Sequence, residues 1–322
     1  MAYFIMLDNK EKNRVAVVMA TYNGEKYIRE QLDSLINQKN ANFIIYCSDD
    51  NSNDSTLNIL EEYKSKYNKI VYETNKSNRG PSSNFLNALR MISDEEYIVF
   101  CDQDDVWLPN KINNLLTFAN GNLSKGIPGI AYCDAFVVNQ QLDLTKTRMY
   151  GDRHHVPATI EDLLYHNGGI QGASMIINKP MANEMLHYNG YVYMHDQLAT
   201  FLAIIHKNIY YLNTAMMLYR QHSNNVVGRN IDLKNKVKIL YSSYLIDLRS
   251  FAFIREFYEV YHHQFPQLQN TSTKLFLQSY TSPAILALQE LILGNATLHG
   301  SRAKLLIKLF IKFFCGRVIS QK

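Results

Sequence analysis

Three short apolar runs, at 15–19, 43–47 and 97–101, each end abruptly in a polar cluster, and helical patterns fill the gaps between them. No other feature of the chain limits its fold so strongly. Five apolar residues in a row suit a buried strand and are too few for a helix. After the first run comes Ala20-Thr21-Tyr22-Asn23-Gly24, a turn, then Tyr27, Ile28, Leu32, Leu35 and Ile36 at helical spacing. The second gives way to Ser48-Asp49-Asp50-Asn51-Ser52-Asn53-Asp54-Ser55, where Asp54 or Ser55 can cap a helix over 56–66. A shorter strand at 69–73 precedes Asn78-Arg79-Gly80-Pro81-Ser82 and a helix over 82–92. This alternation predicts an α/β chain with a doubly wound, mainly parallel sheet flanked by helices. Ligands of such sheets bind beyond the carboxyl ends of the strands, so the polar clusters converge on one crevice.

The run at 97–101 delivers Asp102-Gln103-Asp104-Asp105-Val106-Trp107-Leu108-Pro109. Three carboxylates in four positions suit a hard divalent cation, which takes one or two carboxylates plus substrate phosphates. Alone, the same string reads as a solvated acidic turn before a helix that Pro109 opens. Its coincidence with the other clusters favours a site. The first turn holds only Gly24, not the Gly-x-Gly-x-x-Gly of a dinucleotide fold, and no Gly-Lys-Ser/Thr phosphate loop occurs.

Further on, the pattern gives a helix over 111–118, a strand over 129–138 and a polar, irregular stretch over 139–160. That stretch, with Arg148, Arg153, His154 and His155, reads as a mobile surface loop or as a lid over a ligand. A glycine-rich turn, 168–174, leads into a strand over 174–178. An amphipathic helix starts at Asp196 and runs to about 206, before strands at 208–212 and 216–219.

Residues 231–322 are helical in pattern and carry 12 basic and 5 acidic residues, against 21 and 24 in residues 1–230. The expected domains are therefore 1–230, catalytic, and 231–322, a helical C-terminal extension that associates with a membrane or oligomerises. In its last helix Lys304, Lys308 and Lys312 recur every four residues, opposite Leu305, Leu306, Leu309, Phe310, Phe313 and Phe314. Such a helix either lies in a membrane interface or packs on its own domain or a partner subunit. No aromatic-basic pattern points to nucleic acid. Cys47, Cys101, Cys133 and Cys315 have neither metal nor disulfide spacing and read as reduced, buried thiols. The first 14 residues lack the form of a signal peptide, and no run reaches the ~18 apolar residues of a spanning helix. The expected location is cytoplasmic, peripheral on the inner face of the membrane.

Val-Val-Met-Ala-Thr-Tyr-Asn-Gly, Ser-Asp-Asp-Asn-Ser-Asn-Asp-Ser-Thr, Asn-Arg-Gly and Asp-Gln-Asp-Asp-Val-Trp-Leu-Pro follow one another at a spacing that resembles family 2 glycosyltransferases with the GT-A fold. The resemblance covers roughly residues 14–228. It implies a nucleotide-sugar donor, Mn²⁺ or Mg²⁺, and inversion at the anomeric carbon. Position by position it implies Thr21, Tyr22 and Asn23 at the base pocket, Asp50 on base or ribose, and Arg79 near the nucleotide. It further implies Asp102 against ribose and metal, Asp104 on the metal, His222 as a further metal ligand, and Gln171 and Gly172 at the floor of the sugar site. Asp196 takes the place of the family's base. Here it follows His195 where many relatives have Glu, leaving His195 as a helper at most.

The run Tyr219-Arg220-Gln221-His222, with His195-Asp196-x-x-Ala199, looks most like the rhamnosyltransferase branch for cell-surface polysaccharides. The implied reaction moves L-rhamnose from dTDP-rhamnose to a growing polysaccharide or a lipid-linked glycan, and a homodimer is compatible with it. UDP-hexose or UDP-N-acetylhexosamine is the alternative donor, and an inert glycan-binding or scaffold protein is the non-enzyme alternative. A nucleotidyltransferase would need a glycine-rich basic first turn, and a processive synthase a Gln-x-x-Arg-Trp signature with membrane spans.

Overall fold

A computed structural model describes residues 14–151, 154–165, 168–222, 247–277, 289–290 and 292–315. Strand β1 (Val15–Thr21) lies between β2 (Phe43–Asp49) and β4 (Tyr97–Cys101), with β3 (Ile70–Thr74) outside β2, and all four are parallel. Val15 to Met19 are fully buried. Both faces of the strand are covered, which is why its sequence is apolar without alternation. Thr21 pairs with Asp49 and Met19 with Cys101, so the polar clusters after these strands finish at one edge of the sheet. Helices Ile28–Ile36, Thr56–Lys66 and Pro81–Arg90 make the return connections.

Beyond β4 the sheet changes direction. Strand β6 (Ile130–Val138) runs parallel to β9 (Ile209–Arg220), and β8 (Met175–Asn178) inserts antiparallel between β4 and β6. The short strands β5 (Val106–Trp107) and β7 (Leu144–Lys146) pair antiparallel with β9 and β6. Among the described residues the order is β3-β2-β1-β4-β8-β6-β9-β5, with β7 on β6. Because β8 opposes β4, it begins where β4 ends, and the glycine-rich turn before it stands beside the acidic cluster.

Two expectations change in detail. The strands read at 208–212 and 216–219 are one strand, β9, whose exposed Asn213 and Thr214 are carried through by register shifts against Cys133, Asp134 and Phe136 of β6. The 139–160 stretch is anchored as far as Tyr150. Arg148 Nε donates to Asp134 Oδ2 at 2.7 Å, the Tyr150 N–H to Asp134 Oδ1 at 3.0 Å, and the Tyr211 hydroxyl to Asp134 Oδ2 at 3.0 Å. Arg153 lies outside the described residues.

The chain forms two compact units, one of Met1–Asp152, Ile170–Tyr188 and Met194–Asn225, the other of Arg153–Gly169, Asn189–Tyr193 and Val226–Lys322. Two short segments thus join the C-terminal residues through polar contacts. The Thr297 hydroxyl donates to Asp162 Oδ1 at 2.6 Å, the Tyr165 hydroxyl to Glu290 Oε1 at 3.0 Å, and the Tyr191 N–H to Glu256 Oε2 at 2.6 Å. The second unit's core includes Phe251, Phe253 and Phe257 of helix Leu248–Tyr261. In helix Arg302–Cys315, Leu305 and Leu309 are buried while Ile307 is 60% exposed. The side chains of Phe310, Phe313 and Phe314 lie outside the described residues. Among the described residues no helix is long and apolar enough to cross a membrane.

Candidate active site

At the end of β1 the chain turns under tight local control. The Thr21 hydroxyl donates to Asp49 Oδ2 at 2.7 Å, and Thr21 is buried. Its side chain therefore closes the end of the sheet, and the turn is presented by Tyr22, 45% exposed, and Asn23, whose φ of 46° is left-handed. The Asn23 N–H donates to Ser52 Oγ at 2.9 Å and the Asn53 N–H returns to Asn23 Oδ1 at 3.0 Å, joining the turns after β1 and β2. Asp50 is buried, and it accepts from the N–H groups of Arg79 (3.0 and 2.9 Å) and Gly80 (2.8 Å) and from Asn75 Nδ2 (3.1 Å). Its place is that of an anchor for the segment carrying Arg79, whose side chain is exposed.

At the end of β4 the carboxylates gather. Asp104 Oδ2 lies 2.8 Å from His222 Nε2, with the two side chains 17% and 6% exposed. The His222 ring stacks on Tyr27 at 4.7 Å between centroids, so its orientation is fixed. Gln171 Nε2 donates to Asp102 Oδ2 at 3.2 Å, and the next residue's N–H, that of Gly172, donates to Asp196 Oδ2 at 3.2 Å. One turn thus spans Asp102 and Asp196, which are far apart in sequence. Burial, then the charges of Asp104 and Asp196, push Asp102 up to about 7. Burial pushes Asp196 up to about 6, against the N–H groups of Gln197 and Gly172. Tyr219 records the same convergence: after burial itself, the charges of Asp105, Asp102, Asp104 and Asp196 hold its hydroxyl far above the ordinary range.

His195 packs its ring against Gly172 at the edge of this cleft. It is buried, its ring stacks on Phe85 at 3.9 Å and meets Phe100 edge-on at 4.7 Å, and neither ring nitrogen has a hydrogen-bond partner among the described residues. Burial holds it neutral, with its midpoint pushed down to about 3. It packs the start of helix His195–Ile205 against the sheet.

Three further side chains, of Lys111, Asp105 and Arg220, pack around these groups. Lys111 is fully buried, its Nζ donating to the Ala173 carbonyl at 2.5 Å and lying 3.6 Å from the centroid of Trp107. Burial lowers Lys111 itself, against the charges of Cys133, Cys101, Asp105 and Asp102, and Lys111 in turn lowers Asp102 against the burial that raises it. Asp105 accepts the Arg220 N–H at 3.0 Å on Oδ1, while its buried Oδ2 has no hydrogen-bond partner among the described residues. Arg220 holds the Asp104 backbone, donating Nε to the Asp104 carbonyl at 2.7 Å, and pairs with Glu30. Helical spacing does carry a signal for Lys111, which lies on the buried row with Leu115 and Ala119.

The donor chemistry suits a divalent cation. Asp104 and His222 offer a carboxylate oxygen and an imidazole nitrogen side by side, and an unpartnered carboxylate oxygen lies in the neighbouring Asp105. Among the described residues no three His, Cys, Asp or Glu side chains form a complete cage. A partial site is what a cation shared with substrate phosphates requires.

The sequence profile described as Glycosyl transferase family 2 matches residues 16–159. The dTDP-rhamnosyl transferase RfbG of Shigella flexneri is 35% identical over 234 residues, covering 69% of this chain and 78% of RfbG. A poly(ribitol-phosphate) beta-glucosyltransferase of Bacillus spizizenii is 42% identical over 95 residues, a span of 29% of this chain and 15% of that longer protein. In fold, the chain is similar to S. aureus TarS 1–349 in complex with UDP-GlcNAc, with TM-score 0.54, 18% identity, and 92% and 89% of the two chains covered. It is also similar to mannosyltransferase PcManGT from Pyrobaculum calidifontis in complex with GDP-Man and Mn²⁺, with TM-score 0.51, 15% identity, and coverage of 97% and 94%.

Proposed function

Because this chain belongs to glycosyl transferase family 2, with a GT-A fold and a nucleotide-sugar donor, we propose that it moves L-rhamnose from dTDP-rhamnose, with inversion, onto a growing cell-surface polysaccharide or lipid-linked glycan. The observation that carries the mechanism is the junction of Asp102, the Asp104–His222 pair and Asp196 through the Gln171-Gly172 turn. The rhamnosyl donor rests on the likeness to RfbG.

In this reading Tyr22, Asn23 and the segment anchored by Asp50 hold the nucleoside, with Asp102 at the ribose. Asp104 and His222, with Asp102 beside them, would hold Mn²⁺ or Mg²⁺, which when bound neutralises charge growing on the diphosphate. Asp196 accepts the proton of the acceptor hydroxyl as its oxygen forms the new bond to the anomeric carbon. The bond from that carbon to the diphosphate oxygen breaks on the opposite face, and its electron pair leaves with the nucleotide. A carboxylate with a midpoint of about 6 is ionised at neutral pH and is a stronger base than an ordinary one. The Gln171-Gly172 turn sets the distance between base and donor.

UDP-hexose or UDP-N-acetylhexosamine is the second donor reading, favoured by the local likeness to the poly(ribitol-phosphate) beta-glucosyltransferase. An inert glycan-binding protein would have no use for a buried carboxylate raised toward neutrality. We place the chain in the cytoplasm, with the exposed Lys304 and Ile307 of helix Arg302–Cys315 against the inner leaflet. The Leu305 and Leu309 seam is already used within the second unit.

The test is a panel of nucleotide sugars assayed by thermal stabilisation with and without Mn²⁺, since a ligand of the folded form raises its apparent stability. dTDP-rhamnose should stabilise most, Mn²⁺ should strengthen the effect, and Asp104→Ala should remove the Mn²⁺ increment and transfer together. Equal stabilisation of Asp104→Ala and wild type by Mn²⁺ and nucleotide would refute the assignment.

A further inference from the structure

Gln103, between Asp102 and Asp104, has no part in the mechanism above, yet its side chain makes one of the most specific contacts in the site. Its Oε1 accepts the Tyr22 N–H at 2.9 Å and its Nε2 donates to the Tyr22 carbonyl at 3.0 Å. Both backbone groups of Tyr22 are thereby paired as a neighbouring strand would pair them, and the link joins the turn after β1 to the turn after β4.

Gly24 provides the space. A methyl group there would lie 2.3 Å from Gln103 Oε1 and 2.6 Å from its Cδ. Gly24 is not among the residues with positive φ, and its N–H donates to Thr56 Oγ1 at 2.8 Å, a bond that alanine would keep. The glycine is required for room rather than for backbone freedom. Gly24 and Gln103 are two halves of one contact.

We propose that Gln103 is a positioning residue that latches the nucleotide turn to the acidic strand, fixing the distance between the groups that hold the nucleoside and those that hold the diphosphate end. The inference rests on the donor-binding reading of Tyr22 and Asn23. The turn's other side-chain ties, to Ser52, Asn53, Thr56 and Asn84, run toward β2 and the helices Thr56–Lys66 and Pro81–Arg90. The Gln103 amide ties it to β4. A donor that must engage both ends at once binds best when their spacing is set beforehand.

The experiment is a double-mutant cycle on the full chain, with Gly24→Ala, Gln103→Ala and the pair, read by calorimetric titration of dTDP (and of UDP) with and without Mn²⁺. Losing two neutral hydrogen bonds should weaken dTDP binding about fivefold to tenfold in Gln103→Ala. Gly24→Ala should match it, because its methyl displaces the amide. The double variant should bind no more weakly than Gln103→Ala alone, since the methyl then meets no side-chain amide. The factor by which Mn²⁺ tightens dTDP should shrink in each variant, a change that general loosening of the fold would not produce. Gln103→Met, of similar size without the hydrogen bonds, should repeat the loss of dTDP affinity and the smaller Mn²⁺ factor. Additive penalties in the double variant, or wild-type dTDP affinity with an unchanged Mn²⁺ factor in Gln103→Ala, would overturn the latch. A wild-type chain that bound neither dTDP nor UDP would instead overturn the donor reading on which the latch rests.

Discussion

Replacing Asp196 by asparagine should abolish transfer and, at neutral pH, make the chain harder to unfold. Burial raises the Asp196 midpoint from 3.8 to about 6. The folded chain therefore holds this proton more tightly than the unfolded chain does. It loses stability as pH rises through that interval, and the loss is complete above it. At about 1.4 kcal/mol per pH unit the interval is worth roughly 3 kcal/mol, and partial exposure of the carboxylate reduces this to about 2 kcal/mol. Asparagine carries no charge. The stability of Asp196→Asn relative to wild type should therefore grow by about 2–3 kcal/mol between about pH 4 and about pH 8. The bond from the Gly172 N–H, worth about 1 kcal/mol, is weakened at both pH values and drops out of that difference. Relief of Asp102 from its neighbour's charge acts in the same direction. Urea unfolding of both proteins across the range measures the difference, and wild-type transfer should fall as pH drops below about 6. A stability difference that stays flat with pH within about 0.5 kcal/mol would refute the burial argument, and near-normal transfer by the variant would refute the role of base.

Gly172→Ala would set a methyl 2.7 Å from His195 Nε2 and 3.3 Å from Asp196 Cβ. With His195 held by Phe85 and Phe100, urea unfolding should register a loss of about 1–3 kcal/mol, and kcat should fall while dTDP binding persists. Lys111→Met keeps the length and removes the buried cation, leaving the Ala173 carbonyl unpaired. Its unfolding free energy at neutral pH should drop by about 2–4 kcal/mol, and undiminished stability would refute the counter-cation role. Lys304→Glu with Lys308→Glu should weaken co-sedimentation with anionic vesicles, each charge counting about 1 kcal/mol near such a surface. Equal binding to anionic and neutral vesicles would refute the membrane contact.

Legibility follows burial. Strands β1, β2 and β4 are readable because both faces are covered, and five consecutive apolar residues leave little choice of structure. Strand β7 is unreadable because Leu144–Lys146 is exposed throughout, so hydrogen bonding alone defines it. Strand β9 reads as two because Asn213 and Thr214 interrupt the apolar pattern in solvent, where a strand tolerates them. That Asp102, Asp104, Asp196 and His222 come together is legible through motif order. The character of His195 is not, since a histidine beside a carboxylate invites a chemical role while aromatic neighbours from two distant segments make it a packing residue. The partners of Lys111 and Arg220 escape for a related reason: the sequence alone does not show what compensates a buried charge.

The reversal of β8 gives the cleft an unequal capacity for change. Its donor side hangs from strand ends tied by a ladder that tolerates few insertions. Its floor is the approach to a strand, and residues 171–174 lie outside every rung of the ladder. A cleft built this way has one wall fixed by paired strands and another free of them.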